Sequence, residues 1–392
     1  MRILNVNVTL DSVHGGGMME RTVQMSRALA AAGHQCTILT LDLGLTPERV
    51  AMFPGIKIVA LRCLSRRFYL PAFSLAKIRQ TVASVDIVHL MGTWTLLNIL
   101  VYYYVRKQAK PYVICPAGAL PIFGRSKWIK RAYSWLIGRR IVLNANRCIA
   151  ITPDESEFSH RYGVQTGRAV VIPNGIDLSA YVARDPSAFR LAHGIPDGPF
   201  LLFVGRLNLI KGPDLLLAAF CAVRDEFPHH LVFAGPDGGM GAAMKKTVAE
   251  YGIENRVHFI GYISGAEKSA AYHATDALII PSRSEAMSIV VLEAGAAGTP
   301  VLLTDQCGFG EIEAIGGGLV VPATVEGLAR GLVSLLSQGD RLPQMGTRLK
   351  AYTEQHFPWE KIAQTYVQLY EQILREVAVP ALGKAASSDA PA

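Results

Sequence analysis

Two glutamates, Glu285 and Glu293, stand eight positions apart in the stretch 281–300. The apolar run 277–280 ahead of them predicts a buried parallel strand, and 289–297 predicts a helix closed by Gly298 and Pro300. Glu285 then falls in the strand-to-helix turn, Glu293 falls within the helix, and the helix start at Met287, Ser288 and Ile289 lies between them. Free N–H groups and the positive dipole end at a helix start hold a phosphate, and a carboxylate on each side accepts hydrogen bonds from sugar hydroxyls. That set suits an elongated ligand with an anionic middle, a nucleotide-sugar. The competing reading makes Glu285 a helix-start acid and Glu293 a solvated surface charge.

Arg206 and Lys211 supply the opposite charge. They flank Leu207 to Ile210 in a glycine-bounded loop, Gly205 to Gly212, after the apolar strand expected at 200–204. Open parallel sheets bind ligands in the loops at their carboxyl ends, so both side chains can turn into that crevice. A guanidinium and an ammonium there neutralise much of a departing diphosphate without a metal.

These elements sit in an α/β pattern. Strands are expected at 3–8, 35–41, 56–61, 86–90, 112–115, 148–151 and 169–172, with a helix at 20–32, and again at 200–204, 231–234, 257–260, 277–280, 301–304 and 319–321, with a helix at 213–223. Such alternation builds doubly wound parallel sheets. The length, 392 residues, exceeds what one core usually supports, so two domains are expected. His14-Gly15-Gly16-Gly17, after the first strand, lets backbone N–H groups approach a ligand closely. The same tetrapeptide is an oxyanion-hole motif of esterases, but the Gly-x-Ser-x-Gly elbow such enzymes need does not occur in the sequence.

The Glu285/Glu293 pair and the Gly-Arg…Lys-Gly loop resemble the retaining glycosyltransferases of family 4, which have the two-domain GT-B fold. The resemblance implies two Rossmann-like domains facing a central cleft: an acceptor domain over 1–177, with a hinge phrase at 172–177, and a donor domain over 178–356. A helix over 357–378 then returns to the first domain, and an Ala-, Ser- and Pro-rich tail over 379–392 is expected to be disordered. It gives Glu293 the ribose, places Glu285 beside the transferred sugar, and sets Arg206 and Lys211 on the diphosphate. It reads Gly16 and Gly17 as part of the loop reaching the donor, and places the base at Tyr262 and Ile263. Two departures stand out. Ala286-Met287-Ser288 replace the family's Gly-Phe-Gly, and Pro116-Ala117-Gly118 stand where the family often has a histidine near the reacting sugar. These departures sustain an alternative: a GT-B-like protein that binds a nucleotide or glycan without transferring a sugar.

Charge is divided unevenly. Residues 1–178 carry 22 Lys and Arg against 9 Asp and Glu, and the remainder 17 against 22. The first half therefore faces something anionic, such as a glycan or lipid-linked acceptor or an anionic membrane surface. The segment 124–140 mixes Arg125, Lys127, Lys130, Arg131, Arg139 and Arg140 with Trp128, Ala132, Trp135 and Leu136 at helical spacing. It reads either as a helix lying on a membrane or as a helix packing its tryptophans inward. No nucleic-acid module is recognisable, and the six cysteines show no C-x-x-C spacing, which points to reduced thiols in the cytoplasm. No metal-ligand spacing is seen, and no cofactor is expected beyond the nucleotide-sugar substrate.

Overall fold

A computed structural model describes residues 1–11, 15–72, 74–121, 127–183 and 185–385. The chain divides into two compact units, one formed by 1–175 with 359–392 and the other by 176–358.

The strands of the first unit are β1 (Arg2–Val6), β2 (Gln35–Leu41), β3 (Ile56–Leu61), β4 (Cys63–Ser65), β5 (Leu70–Pro71), β6 (Ile87–Met91), β7 (Tyr112–Cys115), β8 (Arg147–Ala150) and β9 (Ala169–Val171). Seven of them form one parallel sheet in the order β3-β2-β1-β6-β7-β8-β9. Both faces of the central strands are covered, so β6 and β7 read as unbroken buried runs rather than alternating ones. Leu4, Val6, Leu39, Leu90 and Ile114 pack there with Val101 and Val105 from the helix Leu96–Lys107. Each such side chain contributes roughly 1.5–3 kcal/mol on leaving water. The antiparallel pair β4–β5 is absent from the sequence-based expectations because strands this short carry no periodicity.

The chain re-enters this unit at Trp359, whose indole lies over Gly175, where any Cβ would sit 2.5 Å from the ring. The helix Trp359–Ala385 then packs on the helix Gly16–Ala31. Its anchor is the buried Arg21, which donates to the Asn174 side chain, to the Ile172 carbonyl at 3.1 Å and to the Tyr366 hydroxyl. One turn on, Tyr370 hydroxyl meets His89 Nδ1 at 2.7 Å. The helix is described as far as Ala385, past position 379, from which a disordered tail is expected. Residues 386–392 of that tail lie outside the described residues.

The second unit contains β10 (Phe200–Val204), β11 (His230–Ala234), β12 (Val257–Gly261), β13 (Ala277–Ile280), β14 (Val301–Thr304) and β15 (Gly318–Val321). They form a parallel sheet in the order β12-β11-β10-β13-β14-β15. Leu201, Phe203, Leu231, Phe233, Ile279 and Leu302 fill one face with Leu216 and Phe220 from the helix Pro213–Val223. From β10 the chain crosses towards β11, and from β13 towards β14, so the loops after these two neighbours part in opposite directions. A crevice opens at such a reversal.

Candidate active site

The loops after β10 and β13 meet at that reversal. Gly212, at φ +66°, closes the first loop, and a Cβ there would lie 2.0 Å from the Pro281 carbonyl oxygen. Only glycine allows this approach. Arg283 binds the two loops together: it donates to the Leu209 carbonyl at 2.8 Å and to both Asp214 carboxylate oxygens at 2.8 and 2.6 Å, while its backbone N–H reaches the Ile210 carbonyl at 2.7 Å. This paired geometry fixes direction as well as distance. Gly308, at φ +68°, brings the turn after β14 against the same segment, with a Cβ position 1.9 Å from the Ala286 carbonyl oxygen.

Glu285 is held from three sides. Its backbone N–H donates to the Gln306 carbonyl at 2.8 Å, its carboxylate accepts from the buried Ser282 hydroxyl, and its other oxygen lies 2.7 Å from Lys211 Nζ. Lys211 is aimed by its own backbone N–H, which donates to Asn208 Oδ1 at 3.0 Å. The expected partners Lys211 and Glu285 are thus in direct contact. Arg206 opens the same loop, its stem packed over Gly238, where no side chain intrudes.

Met287 and Ser288 are buried and lead into the helix Ile289–Ala297. Ser288 occupies the N-cap position, but its side chain makes no capping bond. Its hydroxyl is buried with no hydrogen-bond partner, and its backbone N–H goes to the Cys307 carbonyl at 3.1 Å. An N-cap serine normally satisfies one of the first-turn N–H groups. Here the Ser288 hydroxyl, fully buried at the helix start, lacks that internal bond.

Glu293 is not a solvated surface charge: it is 4% exposed. Its two oxygens accept from Lys268 Nζ and Tyr272 hydroxyl, each at 2.6 Å. The Tyr272 hydroxyl is fully buried, and burial beside the Glu293 charge holds its pKa well above the usual phenol value. It therefore stays a donor to the carboxylate. Lys268 and Tyr272 were not singled out from the sequence. Their i, i+4 spacing on one face of the helix Gly265–Ala274 was the available signal, but nothing local says which carboxylate that face meets. Arg283 and Ser282 left no signal beyond their place in the loop.

Tyr262 and Ile263 follow β12, which β11 separates from β10; Tyr262 is half exposed and Ile263 buried. Gly16 and Gly17 belong to the first unit, where they open the helix Gly16–Ala31. His14 lies outside the described residues. Glu155, in the helix Pro153–Tyr162, accepts the N–H of Gly118, in the loop after β7, at 2.5 Å and the Ile151 N–H at 2.7 Å. Burial pushes the Glu155 carboxyl up from its ordinary value.

Residues 15–180 match the family described as Glycosyltransferase Family 4, and residues 187–355 match Glycosyl transferases group 1. The chain is 33% identical over 249 residues to D-inositol 3-phosphate glycosyltransferase of Nocardia farcinica, an alignment covering 61% of this chain and 55% of that protein. It thus spans little more than half the length of that relative. Sucrose-phosphate synthase from Thermosynechococcus elongatus shares the architecture with a TM-score of 0.79 at 23% identity, covering 96% of this chain and all 100% of that one. Anabaena HepE in complex with UDP-glucose does so at 0.76 and 18% identity, with 95% and 100% covered. The two family matches together take in both units, and with the two parallel sheets they establish that the chain belongs to the family 4, group 1 glycosyltransferases and has the GT-B fold.

Proposed function

We propose that the protein transfers a sugar from a nucleotide-sugar donor to an acceptor hydroxyl, with retention at the anomeric carbon. The observation that carries this is the buried, unpartnered Ser288 hydroxyl at the start of the helix Ile289–Ala297, between one carboxylate paired to Lys211 and another paired to Lys268. A phosphate at that helix start receives the hydroxyl and the first-turn N–H groups, and a carboxylate stands on either side for hydroxyl-bearing ends. The solved HepE complex with UDP-glucose supports a nucleotide-sugar as the donor class.

In this proposal Arg206 and Lys211 take the diphosphate, Glu285 accepts from the transferred sugar, and Glu293 accepts from the ribose. Tyr262 and Ile263 lie by the base. Lys211 exchanges its contact with Glu285 for the phosphate, which frees the carboxylate for sugar hydroxyls. The bond from the anomeric carbon to the phosphate oxygen breaks as the bond to the acceptor oxygen forms, and the acceptor proton passes to the departing phosphate. Fixed cations at the place where charge develops lower that barrier without reorganisation. The assignment involves no metal cofactor.

The acceptor is proposed to be a glycan or lipid-linked glycan taken by the basic first unit, in polysaccharide or glycolipid synthesis at the cytoplasmic face of a membrane. No helix among the described residues is long and apolar enough to cross a membrane. The test is to incubate purified protein with a panel of nucleotide-sugars and to follow donor consumption and product mass. Binding of a donor without turnover of any member supports the binding-protein alternative; neither binding nor turnover ends both readings.

A further inference from the structure

The segment after β7 resolves into one continuous helical stretch, Lys127–Tyr133, Ser134–Gly138 and Arg139–Leu143. Its inward face is Tyr133, Ile137, Gly138, Ile141 and Val142, at spacings of three and four. The tryptophans point the other way. Trp128 is 79% and Trp135 83% exposed, with Ile129 and Leu136 beside them also exposed. This overturns the reading in which Trp128 and Trp135 pack inward, because the inward face is already filled by Tyr133 and Ile137. Arg125 lies outside the described residues.

A second exposed apolar group lies on the same unit. The β4–β5 hairpin presents Leu64 and Phe68 to solvent, with Arg66 beside them and the Arg67 guanidinium 5.4 Å from the Phe68 ring centre. Strands β3, β6 and β7 run parallel, so the segments leaving their carboxyl ends leave from one rim of the sheet. The hairpin follows β3 directly. The helical stretch is fastened to the same rim, since the Tyr133 ring meets Trp94 at 5.4 Å between centres and its hydroxyl reaches the Thr95 carbonyl at 3.5 Å, both just after β6.

We infer that this rim is a docking face for an anionic phospholipid bilayer, met by the helical stretch 127–143 and the β4–β5 hairpin together. Charge complementarity selects this occupant. Lys127, Arg131 and Arg140 are exposed on the helical stretch, the Arg131 guanidinium 5.1 Å from the Trp128 ring centre, Arg66 and Arg67 flank the hairpin's apolar pair, and no acidic residue occurs between Asp86 and Asp154. Large exposed apolar groups ringed by cations are costly in water and are satisfied where headgroups meet acyl chains. A soluble polyanion would use the cations and leave the tryptophans exposed. The inference deepens the proposed function by naming where the lipid surface is met, and rests on it only for the identity of the acceptor.

The test is flotation of the full chain with vesicles of phosphatidylcholine alone and of phosphatidylcholine mixed with phosphatidylglycerol, with donor hydrolysis measured separately. Recovery with the anionic vesicles is expected to exceed that with neutral ones by about tenfold or more at low salt and to fall as salt is raised. Arg131→Ser and Arg140→Ser should each lower vesicle affinity about fivefold. Trp128→Ser with Trp135→Ser should lower it by about tenfold or more with an unchanged melting temperature, since the exposed rings contribute nothing to the core. Arg66→Ser with Phe68→Ser should also weaken binding. Equal recovery on both vesicle types, retention on heparin with no flotation, or self-association that the tryptophan variant abolishes without any vesicle binding would each overturn the inference. Wild-type flotation by the hairpin variant would remove the two-segment face. Loss of hydrolysis with flotation intact counts against the transferase reading and leaves the membrane face standing.

Discussion

His89 should make the first unit lose stability as the pH falls. The ring is fully buried on β6, with Nδ1 on the Tyr370 hydroxyl, Nε2 without a partner, the Tyr366 ring 5.6 Å away and the Arg21 guanidinium nearby. Burial first, and the Arg21 charge second, push its pKa down from 6.5 to about 3. Above pH 6.5 both folded and unfolded chains hold a neutral ring and the group contributes no pH dependence. Between about 6.5 and about 3 the unfolded chain binds a proton that the native one refuses, so stability falls as the pH falls. The slope is about 1.4 kcal/mol per pH unit, or about 2 kcal/mol at pH 5 relative to pH 7 and about 5 kcal/mol at the lower limit. His89→Asn keeps a hydrogen-bonding group near the Nδ1 position and cannot titrate. Urea unfolding of the wild-type chain and the variant, at pH 7 and pH 5, reads the difference. The variant is expected to be less stable at both, because the smaller side chain leaves a cavity, but to lose about 2 kcal/mol less between them. Other groups that titrate in this window, His229, His230, His258 and Glu155 among them, are common to both proteins and cancel in the comparison. Equal losses in the two proteins would refute the reasoning.

Three further outcomes follow from the candidate site. Lys211→Ala should lower turnover roughly 100- to 1000-fold while leaving acceptor affinity within about threefold, as expected for a charge that stabilises the leaving diphosphate; steady-state kinetics with near-normal turnover would reject that role. Tyr272→Phe removes one of the two donors to the buried Glu293, a hydrogen bond to a charged group worth about 1.5–3 kcal/mol, so the donor KM should rise about tenfold or more with a smaller change in kcat; an unchanged KM would show that Glu293 is not positioned through Tyr272. Gly308→Ala places a methyl against the Ala286 carbonyl at a positive φ, so the turn beside Glu285 must shift, and calorimetry should show weaker donor binding, by about 1 kcal/mol or more, with folding retained; wild-type affinity would show that this turn does not shape the site.

The sequence by itself determined the parallel strands and the rough place of each charged residue along the chain. Runs such as Ala277–Ile280 and Phe200–Val204 are apolar without alternation, which only strands covered on both faces require, and glycines and prolines mark where they stop. The order Gly205, Arg206, Lys211, Gly212 likewise declares a loop with cations before any fold is known. The structure decided what those residues face. Lys211 meets Glu285 because Gly212 lets one loop lie on the Pro281 carbonyl and Arg283 fastens it there, and neither contact leaves a local pattern. Glu293 is a buried, twice-bonded carboxylate rather than a surface charge because another helix brings Lys268 and Tyr272 against it. Trp128 and Trp135 have the spacing of a core-facing helix, yet stand in solvent because Tyr133 and Ile137 took the inward side. Periodicity is a property of neighbours in the chain, whereas burial and charge pairing depend on residues tens to hundreds of positions away, and only packing chooses those.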